Sequence, residues 1–245
     1  MKIFELKCKA YLKTNIELKN SFDVLSKYLN YSIYQNEIYK NKDTSIKNYC
    51  FGNFYPTESD KIYKKNNVYE FVIRSIDEEF IDELEIAIIE NMNNGFLLVL
   101  SAIKKEIDQF FIRELYTATP VIVSEKKDDT GRQIYWSLDY NGDIEILQNQ
   151  LQKNLEKKLK LFFPENKAII DNFIDEIEIK NLKPQSIYFK TIKNQKEKLV
   201  RLIGNKFKIV PKKDDLSQKL AFLSLGVGLG EKSSFGGGFC LGRGA

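Results

Sequence analysis

The chain has 245 residues, 43% of them hydrophobic, a net charge of +4 and no histidine. That length suits one large domain or two small ones, and no apolar run approaches the roughly 18 residues that a membrane-spanning helix needs. Without imidazole, histidine triads and histidine metal clusters are excluded. The three cysteines (Cys8, Cys50 and Cys240) are widely spaced and form no C-x-x-C pair, which suits buried thiols better than a disulfide framework or a zinc site. The opening MKIFELKCKAYL alternates charge and hydrophobe, unlike a signal peptide. A soluble, cytoplasmic protein without a cofactor is expected.

The alternation from Lys2 to Leu12 predicts a strand. Helical spacing of Phe22, Leu25, Leu29 and Ile33 predicts a helix over Lys19 to Tyr34. Asn48 to Tyr55 reads as an aromatic strand ending at Pro56, and Val68 to Ile76 as a second. Asp77 to Met92 reads as a helix with an acidic start, which suits its N-terminus. The Asn93-Asn94-Gly95 turn then leads into a strand over Phe96 to Ala102. This order, β-α-β-β-α-β, is the ferredoxin-like unit.

A second pass follows. Phe110 to Leu115, Ala118 to Ser124 and Gln133 to Leu138 read as strands. Asp143 to Phe163 is the clearest helix, with Ile144, Leu147, Leu151, Leu155, Leu159 and Phe162 in one stripe and Pro164 as its stop. Strands are expected at Ile174 to Ile179, Pro184 to Ile192 and Leu199 to Val210. Asp214 to Leu225 reads as a helix with Leu216, Leu220 and Leu223 on one face. The expected fold class is α+β, with two tandem ferredoxin-like domains, 1–117 and 118–245. No Pro/Gly/Ser-rich linker separates them, so close packing is expected.

Charge is unevenly placed. Residues 190–245 hold 12 Lys/Arg against 4 Asp/Glu, which points to a polyanion-binding face. Within that basic stretch Lys190, Lys193, Lys196, Lys198, Arg201, Lys206 and Lys208 are candidate backbone contacts. Eight of the 13 glycines lie between Gly226 and Gly244. Glycine tolerates φ > 0 and close backbone approach, so successive N–H groups can cradle a phosphate. Gly228, Gly230, Lys232, Ser233, Ser234, Gly236, Gly238 and Arg243 are the candidates there.

The run from Leu223 to Phe239, LSLGVGLGEKSSFGGGF, resembles the C-terminal glycine-rich loop of the CRISPR precursor-RNA-processing endoribonucleases, part of the RAMP superfamily. Residues 48–56 (NYCFGNFYP), 60–64 (DKIYK), 69–76 (YEFVIRSI) and 115–123 (LYTATPVIV) are similar to other stretches of that family. The resemblance implies binding of CRISPR repeat RNA and its metal-independent cleavage, with other subunits of an effector complex as further partners, in a monomer or homodimer. A ribose 2′-OH attacks the adjacent phosphate, leaving a 2′,3′-cyclic phosphate and a 5′-OH. Many members carry a histidine after the first helix; Tyr39 stands there in this chain. Tyr39, Lys40, Lys47 and Tyr49 are therefore the candidate catalytic residues. Three alternatives stay open: these residues work without imidazole, the chain cleaves slowly by positioning RNA in line, or it only holds the repeat.

Overall fold

The computed structural model describes residues 1–38, 47–140, 142–165, 172–193 and 196–244. Strand β1 (Lys2–Leu12) turns Phe4, Leu6, Cys8, Ala10 and Leu12 into the first core, while Ile3 points the other way into the second. A short strand β2 (Ile16–Glu17) leads into helix α1 (Leu18–Gln35), which buries Phe22, Leu25, Leu29 and Ile33 as their spacing predicts. Next come β3 (Tyr49–Phe51), β4 (Ile62–Tyr63), which pairs with β2, and β5 (Val68–Ser75). Helix α2 (Glu78–Glu90) is capped by Asp77, whose carboxylate accepts from the Phe80 N–H at 3.1 Å. The first sheet closes with β6 (Leu97–Asp108) and has the order β3-β5-β1-β6, with every pair antiparallel.

The second unit repeats this plan. Its first strand is β7 (Ile112–Thr117), followed by the small pair β8 (Ser124–Lys127) and β9 (Gln133–Tyr135). Helix α3 (Ile144–Phe162) starts at Asp143, which accepts from the Ile146 N–H at 3.0 Å. Strand β10 (Ile174–Ile179), the hairpin β11 (Gln185–Lys193) and β12 (Lys196–Gly204), and β13 (Phe207–Pro211) come next. Helix α4 (Asp215–Val227), a 3₁₀ turn at Ser233–Phe235 and β14 (Cys240–Gly244) follow. The second sheet, β10-β13-β7-β14, has the same order as the first: second, third, first and fourth strand of a β-α-β-β-α-β unit.

Two strand expectations are corrected. Leu199 to Val210 is not one strand. Asn205 is buried, its Nδ2 donates to the Asn181 carbonyl at 2.9 Å, and its own carbonyl accepts from Val121 N–H at 2.9 Å. Those bonds end β12 as a hairpin arm and free β13 to enter the sheet. Ala118 to Val123 forms only isolated bridges, at Val121 and Ile122, before β8 begins at Ser124. The first sheet ends with Asp108 of β6, and β7, from Ile112 to Thr117, pairs with β13 and β14 in the second.

Helix α4 was expected to bury one face. It buries nearly its whole circumference, including Leu220, Ala221, Phe222, Leu223, Leu225 and Val227. It packs on β7, β13 and β14 of its own unit and on β1, β3 and β5 of the other. The Gln218 side chain ties it to β7, accepting from the Ile112 N–H at 2.7 Å and donating to the Ile112 carbonyl at 3.1 Å. Gly226 permits the approach to the first sheet: a Cβ there would lie 2.8 Å from Ile76 Cγ2 and 3.0 Å from Ile3 Cγ1. No helix among the described residues is long and apolar enough to cross a membrane. Since over-packing a buried contact costs about 1–3 kcal/mol, Gly226→Ala is expected to lower the urea-unfolding free energy by that amount. A stability change under about 0.5 kcal/mol would show that the helix can back away from Ile3 and Ile76.

Candidate nucleic-acid interface

After α4 the chain turns at Gly228, in a positive-φ conformation, and rises into an arch from Lys232 to Gly236. Lys232 and Gly236 are both left-handed and bracket the 3₁₀ turn. The arch is fastened at many points. Phe235 N–H bonds to the Lys232 carbonyl at 2.9 Å, Gly236 N–H to Ser233 at 2.9 Å, Gly237 N–H to Lys232 at 3.1 Å and Gly238 N–H to Pro120 at 2.8 Å. At Gly238 a Cβ would stand 1.8 Å from the Leu229 carbonyl oxygen, and at Gly236 2.2 Å from the Phe22 ring, so both sites require glycine.

The arch joins three other elements. Ser26 of α1 donates to the Ser234 carbonyl at 3.2 Å, and β3 packs against the 3₁₀ turn. Phe235 stacks on Phe189 of the hairpin, with ring centroids 4.4 Å apart. The hairpin is also joined to α1, where Lys190 N–H donates to Asp23 at 3.0 Å. Beside this junction lies a cleft of about 790 Å³ lined by Lys19, Phe22, Lys61, Pro120, Tyr188 and Lys206 among others. Its acidic residues are already paired: Glu17 with Lys19 at 2.6 Å, and Asp60 with Lys64. Lys61 and Lys206 have no ion-pair partner among the described residues. Burial pushes the Lys206 ammonium below the ordinary lysine range. A desolvated, unpaired cation favours an anion within reach.

The family profile for CRISPR associated protein Cas6, C-terminal, matches residues 104–241, more than half of the chain. The chain belongs to the Cas6 family. No curated protein sequence matches it. Solved structures share its fold over nearly their whole length. One, titled CRISPR associated protein Cas6, has a TM-score of 0.71 at 18% identity, covering 98% of this chain and 99% of that one. Another, titled an RAMP protein binding different RNA substrates, has 0.68 at 17%, covering 98% and 99%. A third, from a Cas6-related gene of Pyrococcus furiosus, has 0.68 at 15%, covering 98% of each.

Within this Cas6-family chain the predicted site residues separate into groups. Lys232 is exposed at the crown of the arch, and Ser234 is half-buried beside it. Arg201 is exposed on the hairpin, where its Nε donates to Ser186 Oγ at 2.8 Å and its guanidinium lies 6.0 Å from the Tyr188 ring. Lys206 lines the cleft. Gly228, Gly230, Gly236, Gly238 and Ser233 are buried. The phosphate cradle expected of the glycines is corrected at Gly228, Gly236 and Gly238, because each N–H is already bonded to a backbone carbonyl. Lys208 pairs with Glu114 at 2.6 Å, and Arg243 lies 3.6 Å from the same carboxylate. The side chain of Lys193 lies outside the described residues.

Of the candidate catalytic residues, Tyr39 and Lys40 lie outside the described residues. Lys47 stands two positions before β3, half-buried, and burial pulls its ammonium below the ordinary lysine range. Tyr49 is corrected. Its ring is fully buried and stacked on Phe80 at 5.2 Å, and burial pushes its phenol well above the ordinary tyrosine range. A phenol enclosed in the core exchanges no proton with a phosphodiester. Sequence reasoning missed Lys61, whose signal was slight: one lysine among many in a loop. Lys232→Ala is expected to weaken binding of single-stranded RNA and lower the log–log salt slope by about 0.7, while Lys208→Ala, already paired, changes the slope less. Fluorescence anisotropy over a salt series reads both; equal slopes for the two variants would contradict this ranking.

Proposed function

We propose that this chain binds CRISPR repeat RNA where the arch, α1 and the β11–β12 hairpin meet, and cleaves precursor transcripts there without a metal. The observation that supports this most is that the glycine-rich arch with its exposed Lys232 joins α1 and the hairpin that carries Arg201, beside the cleft lined by Lys61 and Lys206. Phosphate contacts from such cations give affinity without reading sequence. A structure of the same fold is titled as a protein that binds different RNA substrates. Other subunits of an effector complex are the second class of partner.

In the proposed reaction the 2′-OH attacks the neighbouring phosphorus in line as the P–O5′ bond breaks. The 2′-OH proton goes to a base and a proton is delivered to the leaving O5′, giving a 2′,3′-cyclic phosphate and a 5′-OH. Lys47 suits two parts of this work. A desolvated ammonium balances the charge that builds on the phosphorane, and a lowered pKa makes it a better proton donor to O5′. Tyr39 and Lys40 are the remaining candidates for the base. A tyrosine of ordinary pKa, near 10, is a poor base at neutral pH, and general acid–base catalysis is worth about 10²–10⁴-fold. Slow turnover is the consequence.

A second reading, a subunit that holds the repeat without cutting it, is favoured by two observations: the chain has no histidine, and Tyr49 is enclosed in the core. End-labelled repeat RNA in EDTA, with each position in turn 2′-deoxy, separates the readings on a denaturing gel. A single cut that survives EDTA and vanishes with one 2′-deoxy substitution is the expected result. Tight binding with no cut would leave the holding role. For a cleaving chain, Lys47→Ala is expected to lower single-turnover cleavage by about 10²-fold with repeat affinity held within about threefold; equal losses in both would make Lys47 a binding residue.

A further inference from the structure

Lys158 stands on the inner side of α3 and is 3% exposed. Its Nζ donates to the carbonyls of Val227 at 3.2 Å, Gly228 at 2.9 Å and Gly230 at 2.9 Å. An ammonium has three protons, and each has an acceptor here. The acceptors are the carbonyl end of α4 and the start of the glycine-rich loop. A helix end leaves carbonyls without partners and carries partial negative charge, and this end is buried between the two sheets, out of reach of water. The N–H groups of the same three peptides are also spent: Gly228 on Ser224 at 3.0 Å, Leu229 on Gly238 at 2.9 Å and Glu231 on Ile122 at 2.8 Å. The loop entry is thus a seat for the protein's own cation, not a cradle for an outside anion.

We infer that Lys158 is a positioning residue for RNA binding: by holding the Gly228–Gly230 turn it fixes where the Lys232–Gly236 arch stands. The inference rests on the RNA-binding reading above. Lys158 touches no RNA in this scheme. Removing it strands three buried carbonyls, and the turn then opens towards water to satisfy them.

Two native thiols report such opening. Cys50 of β3 lies against the end of α4, with its Sγ 3.5 Å from the Gly226 carbonyl, and Cys240 of β14 lies 3.3 Å from the Gly238 carbonyl. Both are fully buried. Cys8, on β1, sits in the first core away from the loop. The charged or titratable groups around Lys158 are Cys50, Cys240 and Glu231. Glu231 is engaged by Ser124, whose Oγ donates to it at 2.7 Å, and Arg74 of β5 donates to the Cys240 carbonyl at 2.9 Å. Burial brings Lys158 from 10.5 down to about 8 and pushes both thiols up to about 12. A hydrated, opened loop returns Lys158 towards 10.5, so between about pH 8 and 10.5 opening takes up a proton. Raising the pH over that range therefore favours the closed loop. Below about 8 both states are protonated and the dependence vanishes. The thiols act in the opposite sense above about pH 9, where opened cysteines ionise.

The test is alkylation of the three cysteines followed by mass spectrometry, each rate divided by that of a free-cysteine peptide at the same pH. In Lys158→Met, Cys50 and Cys240 are expected to react about tenfold faster with Cys8 unchanged, and affinity for repeat RNA to fall about tenfold. Dividing the wild-type reactivity of Cys50 and Cys240 by that of the variant cancels the ionisation of the opened thiols, and this ratio is expected to fall about fivefold between pH 8 and 9. A rise shared equally by all three cysteines, no rise at Cys50 and Cys240, or undiminished RNA affinity in a folded variant overturns the inference. If Lys158→Met does not fold, Lys158→Gln, whose amide supplies two donors for the three carbonyls, takes its place with the same readouts and the same overturning results. Faster alkylation of Cys50 and Cys240 in the variant, beside a wild-type chain with no affinity for repeat RNA, would overturn the proposed function and leave the cation seat standing.

Discussion

A helix end that is buried must settle its own polar groups. Helix α4 packs on both sheets, and its last turn is buried. Its carbonyls are met by a lysine ammonium and its N–H groups by the backbone. Glycine is required where the chain then reverses, because Gly228 and Gly238 both hold positive φ and Gly238 leaves no room for a Cβ. The arch that follows stands where it does because of this closure. A glycine-rich segment is often read as phosphate-binding, since its N–H groups are accessible. In this chain most of those N–H groups are consumed in shaping the loop, and the positive charge offered outward comes from side chains.

The same helix makes the two units interdependent. Gly226 seats α4 against Ile3 and Ile76 of the first unit, while Leu220, Phe222 and Leu223 fill the second core. Ile3, at the start of the chain, is itself part of the second core. Two units of one topology therefore share a wall, and neither can be removed without exposing the other's apolar surface. Duplicated architecture does not imply independent modules when a helix of one copy supplies core to both.

Much of this was legible in the sequence, for reasons that residues make plain. Strand β1 alternates cleanly, α3 carries a continuous leucine stripe, and Asp77, Asp143 and Asp214 each cap the helix that follows. The glycine-rich tail pointed to its family. What stayed hidden depends on contacts distant in sequence. Asn205 splits a strand because it bonds to Asn181 and Val121, and no local pattern shows that. Tyr49 looked available because a tyrosine in an aromatic strand says nothing about which neighbour covers it; Phe80 does. Lys158 falls among Leu151, Leu155 and Leu159 on the buried side of α3, where its charge is invisible to a hydrophobic-periodicity argument. The pairing of Lys208 with Glu114 crosses from β13 to β7, residues far apart in the chain, so the sequence does not show it.

The stacking of Phe235 on Phe189, with Gly236 pressed to the Phe22 ring, has a consequence for how a long polyanion is met. The arch and the hairpin are already joined before any ligand arrives, so ordering them is a cost met during folding rather than during association. A single-stranded nucleic acid loses its own freedom on docking, but the protein surface loses little. Affinity differences among related RNAs would then reflect the conformational preferences of the RNA more than any adjustment of the protein.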